Sequence, residues 1–106
     1  MCNDMFGLKR EVIESIKKSA AACDIEKLIL FGSRARGDYR ETSDIDLAIC
    51  GGNGECFAID VEEKVPTLLK FDVVDMDKPV QQELVESIER EGIVIYEKIW
   101  KLLSCI

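Results

Sequence analysis

Histidine is absent from the 106-residue sequence. Histidine is the most frequent general acid or base in enzymes. Without it, catalysis by Ser–His and Cys–His pairs is excluded. It also excludes imidazole ligands for a metal ion. Carboxylates are therefore the groups that we expect to act as acid, base or metal ligand in this chain.

Long apolar runs and an excess of positive charge are missing as well. No stretch approaches the roughly 20 apolar residues of a membrane-spanning helix, and no signal peptide opens the chain, so we expect a cytoplasmic protein that does not bind membranes. The net charge is −7, whereas nucleic-acid binding normally needs a basic surface. Direct binding of nucleic acid is therefore not expected, but a small anionic ligand held through a metal ion remains open.

The cysteines show neither the pattern of a disulfide framework nor that of a zinc site. Their number, five, is odd, and no two of them are spaced as Cys-x-x-Cys. Most of them stand in apolar segments, as buried free thiols do. We therefore expect free thiols at all five positions, which are Cys2, Cys23, Cys50, Cys56 and Cys105.

The composition is that of an ordinary soluble globular domain, with 47% hydrophobic and 33% charged residues. A chain of 106 residues can bury one core but not two. We expect one domain over residues 1–106, in which a substrate cleft is shallow or shared with a partner.

Hydrophobic periodicity predicts helices and strands that alternate along the chain. Apolar residues recur at helical spacing in three segments, 3–23, 56–65 and 79–91. Short apolar runs predict four strands, at 27–31, 45–50, 68–75 and 93–96. A short helix is predicted at 33–36. Residues 97–106 form an apolar tail, for which a helix, packing on the core and packing on a partner all remain open.

Two acids, Asp44 and Asp46, open the strand predicted at 45–50. Only one residue separates them, so the alternation of side chains along a strand puts both carboxylates on one face. Adjacent carboxylates repel each other, and a divalent cation bound by their oxygens is the usual way of neutralising them. Asp72, in the strand predicted at 68–75, is the candidate for a third carboxylate. Asp75 is expected on the opposite face, because its offset from Asp72 is odd.

A Gly32-Ser33 turn follows the strand predicted at 27–31. Backbone amides and a hydroxyl at the start of a helix can hold the phosphates of a nucleotide. Arg34 and Arg36 come next, and each of them either contacts phosphate or pairs with a nearby acid. The glycines at 32 and 37 do not make a P-loop, because Asp38 stands where that motif needs lysine.

Gly32-Ser33, ten further residues and then Asp44-Ile45-Asp46 resemble the signature of the minimal nucleotidyltransferases, which belong to the polymerase-β-like superfamily. The segments 71–74 and 91–96 are similar to the third-acid strand and the last strand of that family. The resemblance spans about residues 5 to 96. It implies an α+β fold, in which one domain contains a mixed β-sheet of about four strands flanked by helices.

The resemblance also implies a site and a reaction. The implied metal ligands and catalytic acids are Asp44, Asp46 and Asp72, and the implied nucleotide contacts are Gly32 and Ser33, to which we add Arg36 as a candidate. The expected reaction is the Mg²⁺-dependent transfer of a nucleoside monophosphate, AMP from ATP, to an acceptor hydroxyl, with two Mg²⁺ ions in the site. Family members of this size are commonly antitoxins of HEPN-type toxins, and some transfer AMP to a tyrosine of the toxin. A HEPN-type partner is therefore expected, and a homo-oligomer is also open.

Two other functions remain as alternatives. An antitoxin could act without catalysis, simply by covering its toxin, but three intact acids would then cost stability for no purpose. A transferase could instead act on a small molecule such as an aminoglycoside, but the short chain offers little surface for a second substrate.

Overall fold

Helices and strands alternate along the computed structural model, which describes residues 5–98. The elements are α1 (Arg10–Ala22), β1 (Lys27–Phe31), α2 (Ser33–Arg36), β2 (Ile45–Cys50), α3 (Gly54–Lys64), β3 (Phe71–Asp75), α4 (Gln82–Glu91) and β4 (Ile93–Glu97). The longest helix of this part of the chain, α1, has 13 residues, and no helix there is both long and apolar enough to cross a membrane.

The four strands form one mixed sheet in the order β3-β2-β1-β4. Strand β1 lies at the centre and pairs antiparallel with both β2 and β4, whereas β2 and β3 are parallel. A parallel pair needs a long crossover connection, and α3 lies within the connection from β2 to β3. The expected α+β fold, with a four-stranded mixed sheet flanked by helices, is confirmed.

Helices α1 and α3 cover one face of the sheet and form the main core with it. Val12, Ile13 and Ile16 recur at helical spacing on α1 and are buried. They share one apolar cluster with Phe57 and Val61 of α3 and with alternate residues of the strands. The opposite face carries α4, where Ile88 packs against Phe31 and Ala48 in a smaller cluster.

Three predicted boundaries are wrong by three or more residues, and each of these errors has a local cause. Helix α1 begins at Arg10 and not near residue 3, because Met5 and Leu8 form a tight bridge with positive φ angles at Phe6 and Gly7. Strand β3 begins at Phe71, after the fully exposed Leu68. Helix α4 begins at Gln82, since Gln81 still has an extended backbone. The apolar tail was predicted over residues 97–106. Glu97 instead ends β4 and Lys98 follows it, whereas residues 99–106 lie outside the described part.

The expectation of free thiols is wrong for two of the cysteines. Cys23, which follows α1, and Cys56, in the first turn of α3, form a disulfide with their Cα atoms 5.7 Å apart. The two positions are 33 residues apart in sequence and meet only because both helices pack on the same face of the sheet. Cys50 is a free thiol, as predicted, and Cys2 and Cys105 lie outside the described residues.

Candidate active site

The turn between β1 and α2 brings Gly32 against the carboxylate of Asp46. Phe31, the last residue of β1, is the register partner of Asp46 on β2. Gly32 has φ +75° and ψ −156°, a conformation found almost only in glycine. A Cβ atom on Gly32 would overlap Oδ2 of Asp46. The Gly-Ser motif and the second acid of the Asp-x-Asp motif are therefore in direct contact.

The parallel pairing of β2 and β3 brings the three acids to one edge. Asp46 and Asp72 are register partners, so their side chains project from the same face of the sheet. Asp44 directly precedes β2 and lies two residues before Asp46. Asp46 is half-buried, whereas Asp44 and Asp72 are exposed. The structure thus brings together the three carboxylates that the sequence singled out.

This arrangement disfavours the ionisation of Asp46. Its pKa is raised from 3.8 to about 6, first by burial and then by the charges of Asp72 and Asp44. The positive charges of Arg36 and Arg34 oppose the shift without cancelling it. A proton or a cation at this edge would relieve the repulsion.

The carboxylate oxygens of the three acids suit a divalent cation, although they are not arranged to enclose one. Within residues 5–98, no group of three or more Asp, Glu, His or Cys side chains is arranged to hold a metal ion. The three acids nevertheless offer only oxygen donors, which hard cations such as Mg²⁺ prefer, and burial together with the charges of Asp72 and Asp44 raises the pKa of Asp46. On the chemistry of its donors, the edge fits Mg²⁺.

The other predicted nucleotide contacts lie at the same edge. Ser33 is the first residue of α2, directly after Gly32, whose carbonyl oxygen accepts hydrogen bonds from the N–H groups of Ala35 and Arg36. The side chain of Arg36 forms ion pairs with Asp38, at 3.2 Å, and with Glu91, at 3.3 Å. Of the two roles considered for Arg36, the structure thus contains the ion pair, and its contact with phosphate stays a prediction. Glu91 was not anticipated, because α4 is far away in sequence.

Among the described residues, Arg34 forms none of the ion pairs that were considered for it, and its side chain has a different role. Its side chain is buried, with a relative exposure of 1%, and it donates hydrogen bonds to main-chain carbonyl oxygens, the shortest to Ser43 at 2.9 Å. This role could not be predicted from the sequence, because the acceptors belong to the backbone, which is the same at every residue.

Three further polar side chains, those of Asp75, Asp77 and Ser43, accept hydrogen bonds from the backbone. Asp75 lies on the opposite face from Asp72, as its odd offset implies, and its Oδ1 accepts a hydrogen bond from the N–H of Asp77 at 3.0 Å. Asp77 in turn accepts one from the N–H of Gly51 at 2.7 Å. Ser43 closes a turn, since its hydroxyl accepts a hydrogen bond from the N–H of Arg40 at 2.8 Å.

Comparison with known proteins agrees with this geometry. The family model described as Polymerase beta, Nucleotidyltransferase matches residues 11–99. Two proteins of Methanocaldococcus jannaschii, both provisionally named as protein adenylyltransferases, are similar in sequence. One is 40% identical over 81 residues, which are 68% of this chain and 79% of the relative. The other is 28% identical over 97 residues, which are 80% of this chain and 96% of the relative.

Solved structures share the fold at low sequence identity. A chain in the crystal structure of a toxin–antitoxin with AMP-PNP aligns with a TM-score of 0.67 and 18% identity, covering 84% of this chain and 76% of that one. A chain in the structure of a tri-AMPylated Shewanella oneidensis HEPN toxin in complex with its MNT antitoxin aligns with a TM-score of 0.62 and 16% identity, covering 87% and 75%. The family match, the relatives and the shared fold lead to one conclusion: this chain belongs to the polymerase β nucleotidyltransferase family and is a nucleotidyltransferase.

Proposed function

We propose that this chain transfers AMP from ATP, in a Mg²⁺-dependent reaction, to a hydroxyl group of a HEPN-type toxin and so acts as its antitoxin. The observation that carries the proposal is the contact of Gly32 with Asp46, whose pKa is raised by the charges of the nearby Asp72 and Asp44 as well as by burial. The names of the two archaeal relatives support adenylyl transfer to a protein. The fold shared with a chain of the HEPN–MNT complex supports the choice of partner.

The three acids would hold the metal, and the turn would hold the nucleotide. Asp44, Asp46 and Asp72 provide the oxygen ligands for two Mg²⁺ ions, which when bound neutralise the triphosphate and activate the acceptor oxygen. Gly32 and Ser33 contact the phosphates. The positive charge of Arg36 partly offsets the rise in the pKa of Asp46. The same charge would lie beside the triphosphate.

The proposed reaction is an in-line substitution at the α-phosphorus of ATP. The acceptor oxygen forms a bond to this phosphorus while the bond from phosphorus to the bridging oxygen of the β-phosphate breaks, and pyrophosphate leaves. The proton of the acceptor hydroxyl passes to the carboxylate of Asp72, which is exposed at the edge and can therefore reach a substrate group. No covalent intermediate with the protein is needed.

The test first asks whether a HEPN-type protein is encoded beside this chain, and then uses that protein as the acceptor. The two proteins are incubated with Mg²⁺ and [α-³²P]ATP, and the label is followed by gel electrophoresis and mass spectrometry. We expect AMP on a hydroxyl of the HEPN-type protein, no label after addition of EDTA, and no label with Asp46→Asn. If the Asp46→Asn variant still neutralised the toxin, and neither the wild type nor the variant labelled it, the antitoxin would act by binding alone.

A further inference from the structure

Arg34 is the largest of the fully buried side chains in the described part of the protein. Burial of a charged group costs free energy unless hydrogen bonds replace the water that it loses, and burial lowers the pKa of this guanidinium. No buried side-chain nitrogen or oxygen within residues 5–98 lacks a hydrogen-bond partner. The contacts that satisfy Arg34 therefore show what the side chain holds in place.

Most of these contacts lie in the loop that leads into the acids. Nε and Nη2 of Arg34 donate to the carbonyl oxygen of Ser43 at 3.2 and 2.9 Å. Nη2 also donates to the carbonyl oxygens of Glu41, at 3.2 Å, and Arg40, at 3.5 Å. Ser43 directly precedes Asp44, so the planar fork of the guanidinium fixes the peptide from which the Asp-x-Asp motif starts.

Arg34 also ties this loop to the start of the described chain. Its Nη1 donates to the carbonyl oxygen of Phe6 at 3.0 Å, and its guanidinium lies 5.1 Å from the centre of the Tyr39 ring. A Cβ atom on Gly7 would overlap the Tyr39 ring and come within 2.8 Å of Nη1. One side chain thus joins the N-terminal turn, helix α2 and the loop at 39–43.

The nitrogens of Arg34 donate to carbonyl oxygens inside the protein, so we infer that this side chain holds the backbone and does not bind phosphate. Lysine could not make the same set of contacts. Its ammonium group is a single point with three donors, whereas Nε, Nη1 and Nη2 of arginine are spread over a rigid plane.

We propose that Arg34 is a positioning residue of the active site, which holds the loop at 39–43 so that Asp44 and Asp46 stand where they bind metal. This inference rests on the proposed function, since it assumes that the two acids are metal ligands. Residues that orient ligands without touching the metal typically change affinity or activity about 10–100-fold when they are mutated.

The test compares variants of Arg34 with a control that destabilises the protein elsewhere. Arg34→Lys and Arg34→Met keep much of the side-chain volume but lose the fork. Val61→Ala leaves a small cavity under α3, in the main core and away from the three acids. All proteins are studied at a temperature at which circular dichroism shows them folded. Calorimetry gives the affinity for Mn²⁺ in the presence of α,β-methylene-ATP, and NMR gives the hydrogen exchange of the Ser43 amide without metal.

We expect both Arg34 variants to bind Mn²⁺ about 10–100-fold more weakly than the wild type, and to exchange the Ser43 amide faster. Val61→Ala should match the wild type in both measurements, although its melting temperature falls. Wild-type Mn²⁺ affinity in folded Arg34→Lys and Arg34→Met would overturn the inference and leave the proposed function intact. A wild-type protein that binds no Mn²⁺ would overturn the proposed function, and the positioning role with it.

If both Arg34 variants fail to fold, Tyr39→Ala decides the question. This change leaves the guanidinium in place but removes the ring that packs beside it. Weaker Mn²⁺ binding with faster exchange of the Ser43 amide would support the positioning role. Wild-type values for both in the folded Tyr39→Ala protein would overturn it.

Discussion

The carboxylate of Asp46 occupies the space in which a side chain at position 32 would have to stand. Glycine at the start of the Gly-Ser motif is therefore a consequence of the acid that follows 14 positions later in the sequence. The positive φ of Gly32 also favours glycine, because residues with a side chain rarely adopt this backbone conformation. Gly37 also has a positive φ, but a Cβ atom there would meet nothing within 4 Å.

Gly32→Ala and Gly37→Ala separate these two effects. We expect both changes to lower the free energy of unfolding by about 1–3 kcal/mol, because each puts a side chain on a backbone that favours glycine. Only Gly32→Ala should also displace Asp46, and a shift of about 1 Å in a reacting group can cost about 100-fold in rate. Nucleotidyl transfer by the folded variants checks this. Equal activity of the two variants would show that the contact of position 32 with Asp46 does not affect catalysis.

Asp46→Asn should stabilise the protein when metal is chelated with EDTA. The pKa of Asp46 is about 6 in the folded protein, against an ordinary value of 3.8, so its ionisation disfavours the folded state. Below about pH 4 the carboxyl is protonated in both states and has no effect. Between about pH 4 and 6 the wild type loses stability as the pH rises, and above this range the loss is complete.

The gain from Asp46→Asn should therefore be near zero at pH 4 and on the order of 1 kcal/mol at pH 7.5, after allowance for solvent screening of the half-buried group. Urea unfolding in EDTA at the two pH values measures it. A variant that is less stable than the wild type at pH 7.5 would identify Asp46 as a structural hydrogen-bonding group.

Among single residues, the sequence predicted those whose role follows from a local rule. Asp44 and Asp46 share a face because strand side chains alternate, and Asp75 faces away from Asp72 for the same reason. Arg34 could not be predicted, because its partners are backbone carbonyls in two segments that meet only in the folded chain. The pairing of Arg36 with Glu91 was missed for a similar reason, since it joins α2 to α4.

At the level of elements, the parallel pairing of β2 with β3 determines the site. The register sets Asp72 beside Asp46, and a shift of one residue would turn Asp72 to the other face of the sheet. Periodicity predicted that these strands exist, but their order in the sheet depends on the crossover through α3 and was not predicted. Boundaries were less predictable, because they depend on turns such as the one at Met5–Leu8.

The disulfide between Cys23 and Cys56 joins the end of α1 to the start of α3, near Cys50 at the end of β2 and away from the acids at its start. We expect the double change Cys23→Ser and Cys56→Ser to lower the free energy of unfolding by about 2–4 kcal/mol, because the cross-link restricts the unfolded chain. Metal affinity should stay as in the wild type.

Urea unfolding with and without dithiothreitol, and alkylation followed by mass spectrometry, measure this effect. Cys50→Ser is the matched control, since Cys50 is a free thiol and dithiothreitol should still destabilise that variant. Alkylation of Cys23 and Cys56 in the folded, unreduced protein would show that the two thiols are not joined.

For the whole molecule, the position of the acids at the surface determines how the protein can work. Asp44 and Asp72 are exposed. The described residues form a single four-stranded sheet with helices on its two faces. Such a site can bind a nucleotide, but it leaves the acceptor to be brought by another molecule, as the proposed transfer to a partner protein requires. The net charge of −7 repels a nucleoside triphosphate unless a cation accompanies it.

The central claim is that the carboxylates of Asp44, Asp46 and Asp72 form a metal-dependent nucleotide site. Titration calorimetry with α,β-methylene-ATP and Mn²⁺ tests it most directly, because it requires neither acceptor nor partner. We expect binding by the wild type and by Asp75→Asn, which carries the same substitution on β3 but on the opposite face. Asp44→Asn, Asp46→Asn and Asp72→Asn should each lose this binding. Equal binding by all five proteins, or no binding by the wild type at millimolar ligand, would contradict the account.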